Sequence, residues 1–346
     1  MKPPASTTIL GIETSCDETA AAVLDGEGHV LANVISSQQT VHERFGGVVP
    51  ELASRAHIQN VDHVTRQALD AAGLTWQDLG AIAVTQGPGL AGALLVGISY
   101  AKSLAYALGI PLVGVSHLEG HIASAWIDRP SFPRTCVVLI ASGGHTHLFH
   151  ATEHGGFHLM GRTIDDAAGE AFDKGAQMLG LGYPGGPLID AAARKGSPAA
   201  VRFPRSRVRT GQLDFSFSGL KTALLYHLQR MDQEAIVRQQ ADLAAGYQEA
   251  IVHVLVRQTF AAVRQAGVSA LAVVGGVSAN SRLRARLAER AGEEGIELGL
   301  PALSYCTDNA AMIAAAGQRA LEQGRLASFE CEAMPNYALP ASSGGE

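Results

Sequence analysis

The feature that most constrains this chain is a strand pattern that occurs twice. Ile9-Leu10-Gly11-Ile12 runs into a polar turn, Glu13-Thr14-Ser15-Cys16-Asp17-Glu18, and returns through Ala20 to Leu24. An Asp25-Gly26-Glu27-Gly28 turn then leads into a third strand, Val30 to Ile35. About 125 residues later the plan recurs. Cys136 to Ala141 form an apolar strand, Ser142-Gly143-Gly144 the turn, and His145 to His150 an alternating strand; a turn at Glu153 to Gly156 precedes another strand from Phe157. Two copies of one three-stranded plan predict an internally duplicated α/β architecture.

Helical periodicity fills the space around the repeats. Helices are expected from about Pro50 to Ala72 and from Ala91 to Leu108, with a strand at Ala81 to Thr85 between them. Leu112 to Val115 read as a buried strand, and Ser116 as the N-cap of a helix running through Trp126. After the second repeat come helices at Gly169 to Leu179 and Ala235 to Ala266, and a strand at Ala270 to Val274. A helix from Asn280 and a final apolar helix, Asn309 to Leu321, complete the set. Arg129 to Arg134, with two prolines, is the natural boundary. The expected lobes are therefore 1–130, completed by the helix at 308–325, and 131–307, followed by a tail at 326–346.

At 346 residues, 47% hydrophobic and 17% charged, the chain can build two substantial cores. Its net charge of −6 gives no global basic field, so contact with nucleic acid must be local. The densest basic run is Arg202, Arg205, Arg207 and Arg209, preceded by Arg194 and Lys195; it is either a solvated loop or a phosphate contact. Four scattered cysteines without C-x-x-C suggest reduced thiols and a cytoplasmic location. Met-Lys-Pro-Pro opens no signal peptide, and Lys102 and Pro111 interrupt the longest apolar region, which argues against a membrane span. The closing Ser-Ser-Gly-Gly-Glu reads as a frayed tail.

Several clusters carry chemistry. His117 and His121 are four apart on one helix, so their imidazoles share a face and can hold one divalent metal; two ordinary histidines are the alternative. Asp308, before the final helix, is either its N-cap or a hard oxygen ligand completing a His2Asp site. His145 and His147 alternate on a strand and form a rival pair. A zincin protease needs Glu directly after the first His, whereas Glu119 lies two positions on, about 200° around the helix. The small residues of Thr14 to Glu18 and Ser142 to Gly144 allow a phosphate or acyl oxygen to approach backbone N–H groups. In a duplicated protein such turns are expected to face each other across a cleft. Gly275-Gly276-Val277-Ser278-Ala279-Asn280 ends a strand at a helix start, suited to a ribose or base or simply to capping. Asp165 and Asp166 complement a helix dipole, while Asp173 and Asp190 are candidate partners for hydroxyl groups.

Together these pieces resemble one family over nearly the whole chain, the tRNA N6-adenosine threonylcarbamoyltransferases, once described as O-sialoglycoprotein endopeptidases. The matching motifs are Gly-Ile-Glu-Thr-Ser-Cys-Asp-Glu-Thr (11–19), Gly-Gly-Val-Val-Pro-Glu-Leu-Ala-Ser-Arg (46–55), His-x3-His (117–121) and Ser-Gly-Gly-His-Thr (142–146). They continue with residues 165–174, Tyr-Pro-Gly-Gly-Pro (183–187), Asp-Phe-Ser-Phe-Ser-Gly-Leu-Lys-Thr (214–222), Gly-Gly-Val-Ser-Ala-Asn (275–280) and Cys-Thr-Asp-Asn (306–309). The resemblance implies a duplicated actin/Hsp70-like, RNase H-like fold with two lobes and a ligand cleft. It implies that His117, His121 and Asp308 bind one metal, iron or else zinc. It places Ile140, Ala141, Ser142, Gly143, Gly144, Asp173, Gly186, Asp190 and Asn280 around threonylcarbamoyl-AMP. The expected reaction moves the threonylcarbamoyl group to N6 of the adenosine 3′ of the anticodon, with Asp17 or Glu18 orienting or deprotonating N6. Expected partners are tRNA, a smaller paralogous subunit and a P-loop ATPase. An ATPase or sugar kinase of the same superfold is the first rival, and a metallopeptidase the second. Where the family often carries an Arg-Pro-Arg-Trp-like tail, this chain has Met334-Pro335-Asn336-Tyr337.

Overall fold

A computed structural model describes residues 7–153, 155–205, 213–337 and 339; Arg207, Arg209 and the 342–346 tail lie outside the described residues. The chain divides into two compact units, one formed by 1–131 with 301–339 and the other by 132–300.

In the first unit β1 (Ile9–Glu13), β2 (Glu18–Leu24) and β3 (Val30–Ser37) form an antiparallel meander. After a single helical turn α1 (Gln39–His42) and α2 (Pro50–Ala72), β4 (Ala81–Gly87) adds parallel to β1. Then α3 (Ala91–Leu108) leads to β5 (Leu112–Ser116), parallel to β4, and to α4 (His117–Ala123). The sheet order is β3-β2-β1-β4-β5. The second unit repeats it. Here β6 (Cys136–Ala141), β7 (Thr146–Ala151) and β8 (Phe157–Arg162) form the meander. Four helices follow: α5 (Ala168–Met178), α6 (Gly185–Ala193), α7 (Ser218–Leu228) and α8 (Gln233–Ala266). Then come β9 (Ala270–Val274), α9 (Ser281–Glu294) and β10 (Glu297–Gly299). With β9 parallel to β6 and β10 parallel to β9, the order β8-β7-β6-β9-β10 matches the first sheet strand for strand. Finally α10 (Ala310–Glu322) returns to the first unit.

Burial explains the layering. The central strands β1 and β6 are buried at every position, as expected of strands covered on both faces. In the first sheet one alternating set, Leu10, Ile12, Val23, Ile82 and Val84, packs against Val61, Val64 and Ala68 of α2 and Leu94, Ile98 and Ala101 of α3. The other set, Ile9, Ala22, Leu24, Ala83 and Val115, packs against the small residues of α10. By length and composition α3 could cross a membrane, but its Ala93, Leu94, Gly97, Ile98 and Ala105 are buried in the protein.

Two close approaches fix α10. A Cβ at Gly11 would lie 2.4 Å from the Ala310 carbonyl oxygen, and one at Gly120 2.7 Å from Ile313 Cδ1. Only glycine lets α10 sit this near both β1 and α4. That contact positions the chemistry, because Asp308 stands just before α10 and both histidines are on α4.

Two helices were invisible to local sequence rules. Tyr183 to Asp190, read as a rigid loop, contains the start of α6, and α7 has no polar N-cap residue. In both cases the cap comes from far along the chain. The Asp173 carboxylate accepts from Gly185 N at 2.7 Å, and the Asp165 carboxylate accepts from Phe217 N and Ser218 N at 2.8 and 3.3 Å. The distant helix caps therefore replace the dipole role read for Asp165.

Candidate metal centre and nucleotide-binding residues

The metal candidates lie within the first unit. His117 and His121 occupy the first and fifth positions of α4, so their side chains stack on one face, with ring centroids 4.6 Å apart. Ser116 holds the cap position, but its hydroxyl makes no capping bond and has no partner. Asn309, not Asp308, caps α10, its Oδ1 accepting from Met312 N at 3.0 Å. The Asp308 carboxylate faces the histidines: Oδ1 lies 3.5 Å from His117 Nε2 and 3.2 Å from His121 Nε2.

Three observations fit a bound cation. One donor atom from each of the three residues lies within 4.8 Å of the others, and donors about 2.1 Å from a shared ion stand about 3–4 Å apart. His121 is 0% exposed, and neither ring nitrogen makes a hydrogen bond, although Asp308 is so near. A buried imidazole aimed at a carboxylate without bonding it is what convergence on a third body looks like. The field has the right sign as well. Burial works against the His117 imidazolium, but the charges of Asp308 and Glu13 outweigh it and lift the pKa to about 9.

Behind the ligands stands an unforeseen layer. His117 Nδ1 lies 3.1 Å from Glu13 Oε2 and 3.2 Å from Ser15 Oγ. A carboxylate only accepts, so Nδ1 carries the proton, which leaves Nε2, facing Asp308, as the ring nitrogen that would meet a metal. Glu13 is 1% exposed and also accepts from Ser15 N at 2.5 Å and Thr85 Oγ1 at 2.6 Å. Burial raises its carboxyl, but the charge and hydrogen bond of His117 overcome this and hold it below the usual carboxylate range. The one hint in the sequence is an acid closing a wholly apolar strand.

Asp17 and Glu18 stand in the adjoining turn. Burial, then the charges of Asp17 and Asp308, push the Glu18 carboxyl up to about 9; its Oε1 accepts from Ser37 Oγ at 3.0 Å. The carbonyls of this turn are pinned: fully buried His57 donates from Nε2 to Cys16 O at 3.0 Å, and Gln38 N donates to Asp17 O at 3.0 Å. His57 lies two residues beyond the 46–55 motif, whose structural part is to seat it on α2. Glu119 points elsewhere, 3.3 Å from Arg325 Nη2.

The remaining candidates all belong to the second unit and gather at one end of its sheet. Ile140 pairs with Val274, so the turns after β6 and β9 leave the sheet side by side. Gly275, at φ +89°, comes so close that a Cβ would lie 2.5 Å from the Ala141 carbonyl oxygen. Ile140 and Ala141 are buried, Ser142 Oγ accepts from His145 N, and Gly143 and Gly144 are exposed with open space in front. Gly169 N donates to Ser142 O, joining α5 to the turn. From α5, Asp173 holds Gly185, the neighbour of Gly186. On α6, Asp190 accepts from Ser281 Oγ at 2.7 Å and Arg194 Nη2 at 2.6 Å. Asn280 caps α9 through Oδ1 and donates from Nδ2 to Gln248 Oε1 at 2.7 Å. The acids and Asn280 are therefore the frame of this patch, and the glycines its open surface. His145 and His147 stack 5.5 Å apart and belong to no set of three ligands among the described residues.

The family model described as tRNA N6-adenosine threonylcarbamoyltransferase matches residues 29–315. The chain belongs to this family. A Clostridioides difficile (strain 630) protein of that name is 49% identical over 332 residues, covering 95% of this chain and 98% of its own. One from Anaeromyxobacter dehalogenans (strain 2CP-C) is 52% identical over 339 residues, covering 96% of this chain and all of its own. Distant structures share the fold alone. HypF of T. kodakarensis has a TM-score of 0.62 at 14% identity, over 94% of this chain and 49% of HypF. Component A of the Acidaminococcus fermentans (R)-2-hydroxyglutaryl-CoA dehydratase has 0.54 at 16%, over 91% and 99%. The fold is the duplicated actin/Hsp70-like one.

Proposed function

We propose that this chain transfers the threonylcarbamoyl group of threonylcarbamoyl-AMP to N6 of the adenosine 3′ of the anticodon, in tRNAs that read codons beginning with A. The observation that carries this reading is the His117–His121–Asp308 set, whose donors converge around an unbonded buried imidazole in a chain about half identical to threonylcarbamoyltransferases. A His2Asp site with open positions suits Fe2+, with Zn2+ as the alternative. The metal would supply Lewis-acid stabilisation of negative charge on the activated acyl group.

In the reaction the N6 nitrogen bonds to the carbamoyl carbon, the bond from that carbon to the phosphate oxygen breaks, and AMP leaves. N6 must also lose a proton. We assign its acceptance to the turn that carries Asp17 and Glu18. His57 and Gln38 keep that turn in place through its carbonyls. In the second unit the N–H groups of Gly143 and Gly144 are assigned to phosphate, and Gly186 to close passage of the nucleotide. Asp173, Asp190 and Asn280 act by holding this surface in shape. Because an aromatic amine is a weak nucleophile, positioning and electrostatics supply most of the acceleration. We assign the chain a cytoplasmic location, with a smaller paralogous subunit and a P-loop ATPase as partners.

The test is a single turnover with preformed threonylcarbamoyl-AMP and unmodified tRNA, run beside an ATP-hydrolysis assay. Transfer that falls at least a hundredfold in His121→Ala supports the reading. Rapid ATP turnover without acyl transfer would favour the kinase-like rival. With Glu119 paired to Arg325, chelator-sensitive peptide cleavage is not expected.

A further inference from the structure

In the first unit the chain beyond β3 carries an exposed aromatic ring a short way from the Asp17–Glu18 turn. Glu18 pairs with Ser37, so this segment starts next to the turn, and Gln38 N donates to Asp17 O at 3.0 Å. It then forms α1 and a tight 3₁₀ turn, Glu43–Phe45, which ends at Gly46 in the left-handed region with φ +70°. Glu43, Arg44, Phe45 and Gly46 are exposed in succession, and Phe45 is 53% exposed. At helical rises of about 1.5–2 Å per residue, Phe45 lies about 12 Å along the chain from Gln38. This tip is tied down at its base. Fully buried His42 accepts at Nδ1 from Val49 N at 3.3 Å, so Nε2 carries the proton and donates to Gln38 Oε1 at 3.2 Å. One imidazole thus links the far end of the tip to Gln38, and Gln38 links it to the Asp17 carbonyl. Gly46 N closes the turn on Glu43 O at 3.0 Å.

Lone apolar residues on a surface are ordinary, but this ring is furnished. The Arg44 guanidinium stands over it, with Cζ 4.9 Å from the centroid, and among the described residues no carboxylate pairs with that arginine. A Cβ at Gly46 or Gly47 would meet nothing within 4 Å, so the approach beside the ring is open. These two glycines begin the 46–55 motif, and neither the metal nor His57 makes use of them. An exposed ring with a free guanidinium on one face matches an unpaired nucleobase on a phosphodiester strand. Every base has a π-face that stacks on an aromatic side chain, and arginine meets the phosphate. A base that enters an active site must leave its stack, and its neighbours then need new stacking partners. We propose that Phe45, backed by Arg44, is the platform on which a base adjoining the reacting adenosine of the anticodon loop stacks, with its phosphate against the Arg44 guanidinium. This deepens the transfer reading and rests on it for the identity of the RNA.

The experiment measures binding of an unmodified anticodon stem-loop RNA to the full chain across about 50 to 200 mM KCl, beside a fully paired RNA duplex. Phe45→Ala should weaken stem-loop binding about 5–150-fold, the share of one stacked base. Its log–log salt slope, duplex binding and melting temperature should match wild type, because no phosphate contact and no core packing is lost. Phe45→Trp should bind at least as tightly as wild type, whereas Phe45→Leu, apolar but without a π-face, should bind like Phe45→Ala. Arg44→Gln should reduce the slope by about 0.7, the contribution of one phosphate on a single strand. In transfer from preformed threonylcarbamoyl-AMP, Phe45→Ala should raise KM for tRNA and keep kcat. Stem-loop binding equal to wild type in Phe45→Ala, full binding by Phe45→Leu, or no binding by wild type overturns the platform, and so does a loss of kcat at constant KM. An unchanged slope in Arg44→Gln overturns the phosphate contact. A wild type that binds the stem-loop through Phe45 but forms no product overturns the transfer reading and leaves the platform standing.

Discussion

Replacing Glu13 by Gln probes the site through a residue that touches no metal. The Glu13 carboxylate fixes His117 by accepting from Nδ1 at 3.1 Å, and it is itself fixed by Ser15 N and Thr85 Oγ1. The amide keeps size and shape but removes the charge, and its NH2 meets either the Ser15 N–H on the Oε1 side or both Thr85 Oγ1 and His117 Nδ1, which share Oε2. Hydrogen bonds to charged groups contribute about 1.5–3 kcal/mol. Outer-layer partners of ligating histidines typically account for about 10–100-fold in metal affinity. At about 1.4 kcal/mol per tenfold, the two ranges agree. The variant should therefore bind Co2+ about 10–100-fold more weakly in a spectroscopic titration, with a melting temperature in chelator close to wild type. Metal affinity equal to wild type in a folded variant would refute the orienting role and the tautomer assigned to His117.

Further expectations follow from the same geometry. Chelation should lower the melting temperature of wild type but not of His121→Ala, because a cation at about 100 times its Kd adds about 2.7 kcal/mol to the folded state; equal shifts in both proteins would count against the site. Gly11→Ala places a Cβ 2.4 Å from the Ala310 carbonyl oxygen, so it should cost about 1–3 kcal/mol in denaturant melts and weaken metal binding by displacing Asp308; normal stability would contradict the close approach. Burial raises Asp165, but hydrogen bonds from Ser216, Phe217 and Ser218 outweigh it and depress its carboxyl. Its cap, about 1 kcal/mol, is thus fully present above the ordinary carboxylate value of about 4 and lost as pH falls through the lowered one. The stability gap between wild type and Asp165→Ala should narrow as pH falls below the ordinary carboxylate range, and a gap that stays constant throughout an acid titration would dismiss the carboxylate. His57→Ala should lower kcat for transfer while sparing metal affinity, as expected of a residue that holds the Asp17–Glu18 turn.

Much of the fold was legible because periodicity and end signals coincided. Helix α2 runs from Pro50 to an αL cap at Gly73, and α3 from Ala91 to one at Gly109, where the sequence places their ends. The repeated meander was visible because β1 and β6 are buried throughout and followed by polar turns. Helices α6 and α7 escaped because their caps, Asp173 and Asp165, lie 12 and 52 residues from the N–H groups they bind. The same division runs through the site. The His117–His121 spacing is local and could be read directly, and Asp308 was within reach as an acid at a helix start. Glu13 and Ser15 reach His117 only across the sheet, about a hundred residues along the chain, so spacing carries no trace of that contact, although both belong to the polar turn the sequence marks. Asn280 was recognisable, but its amide is spent on α9 and Gln248, which only contacts reveal.

The most direct measurement is a nucleoside digest of tRNA from cells depleted of this chain, analysed by mass spectrometry. Loss of N6-threonylcarbamoyladenosine, restored by wild type and not by His117→Ala/His121→Ala, is the expected result. Modification that persists through depletion, or full restoration by the double variant, would contradict the central claim.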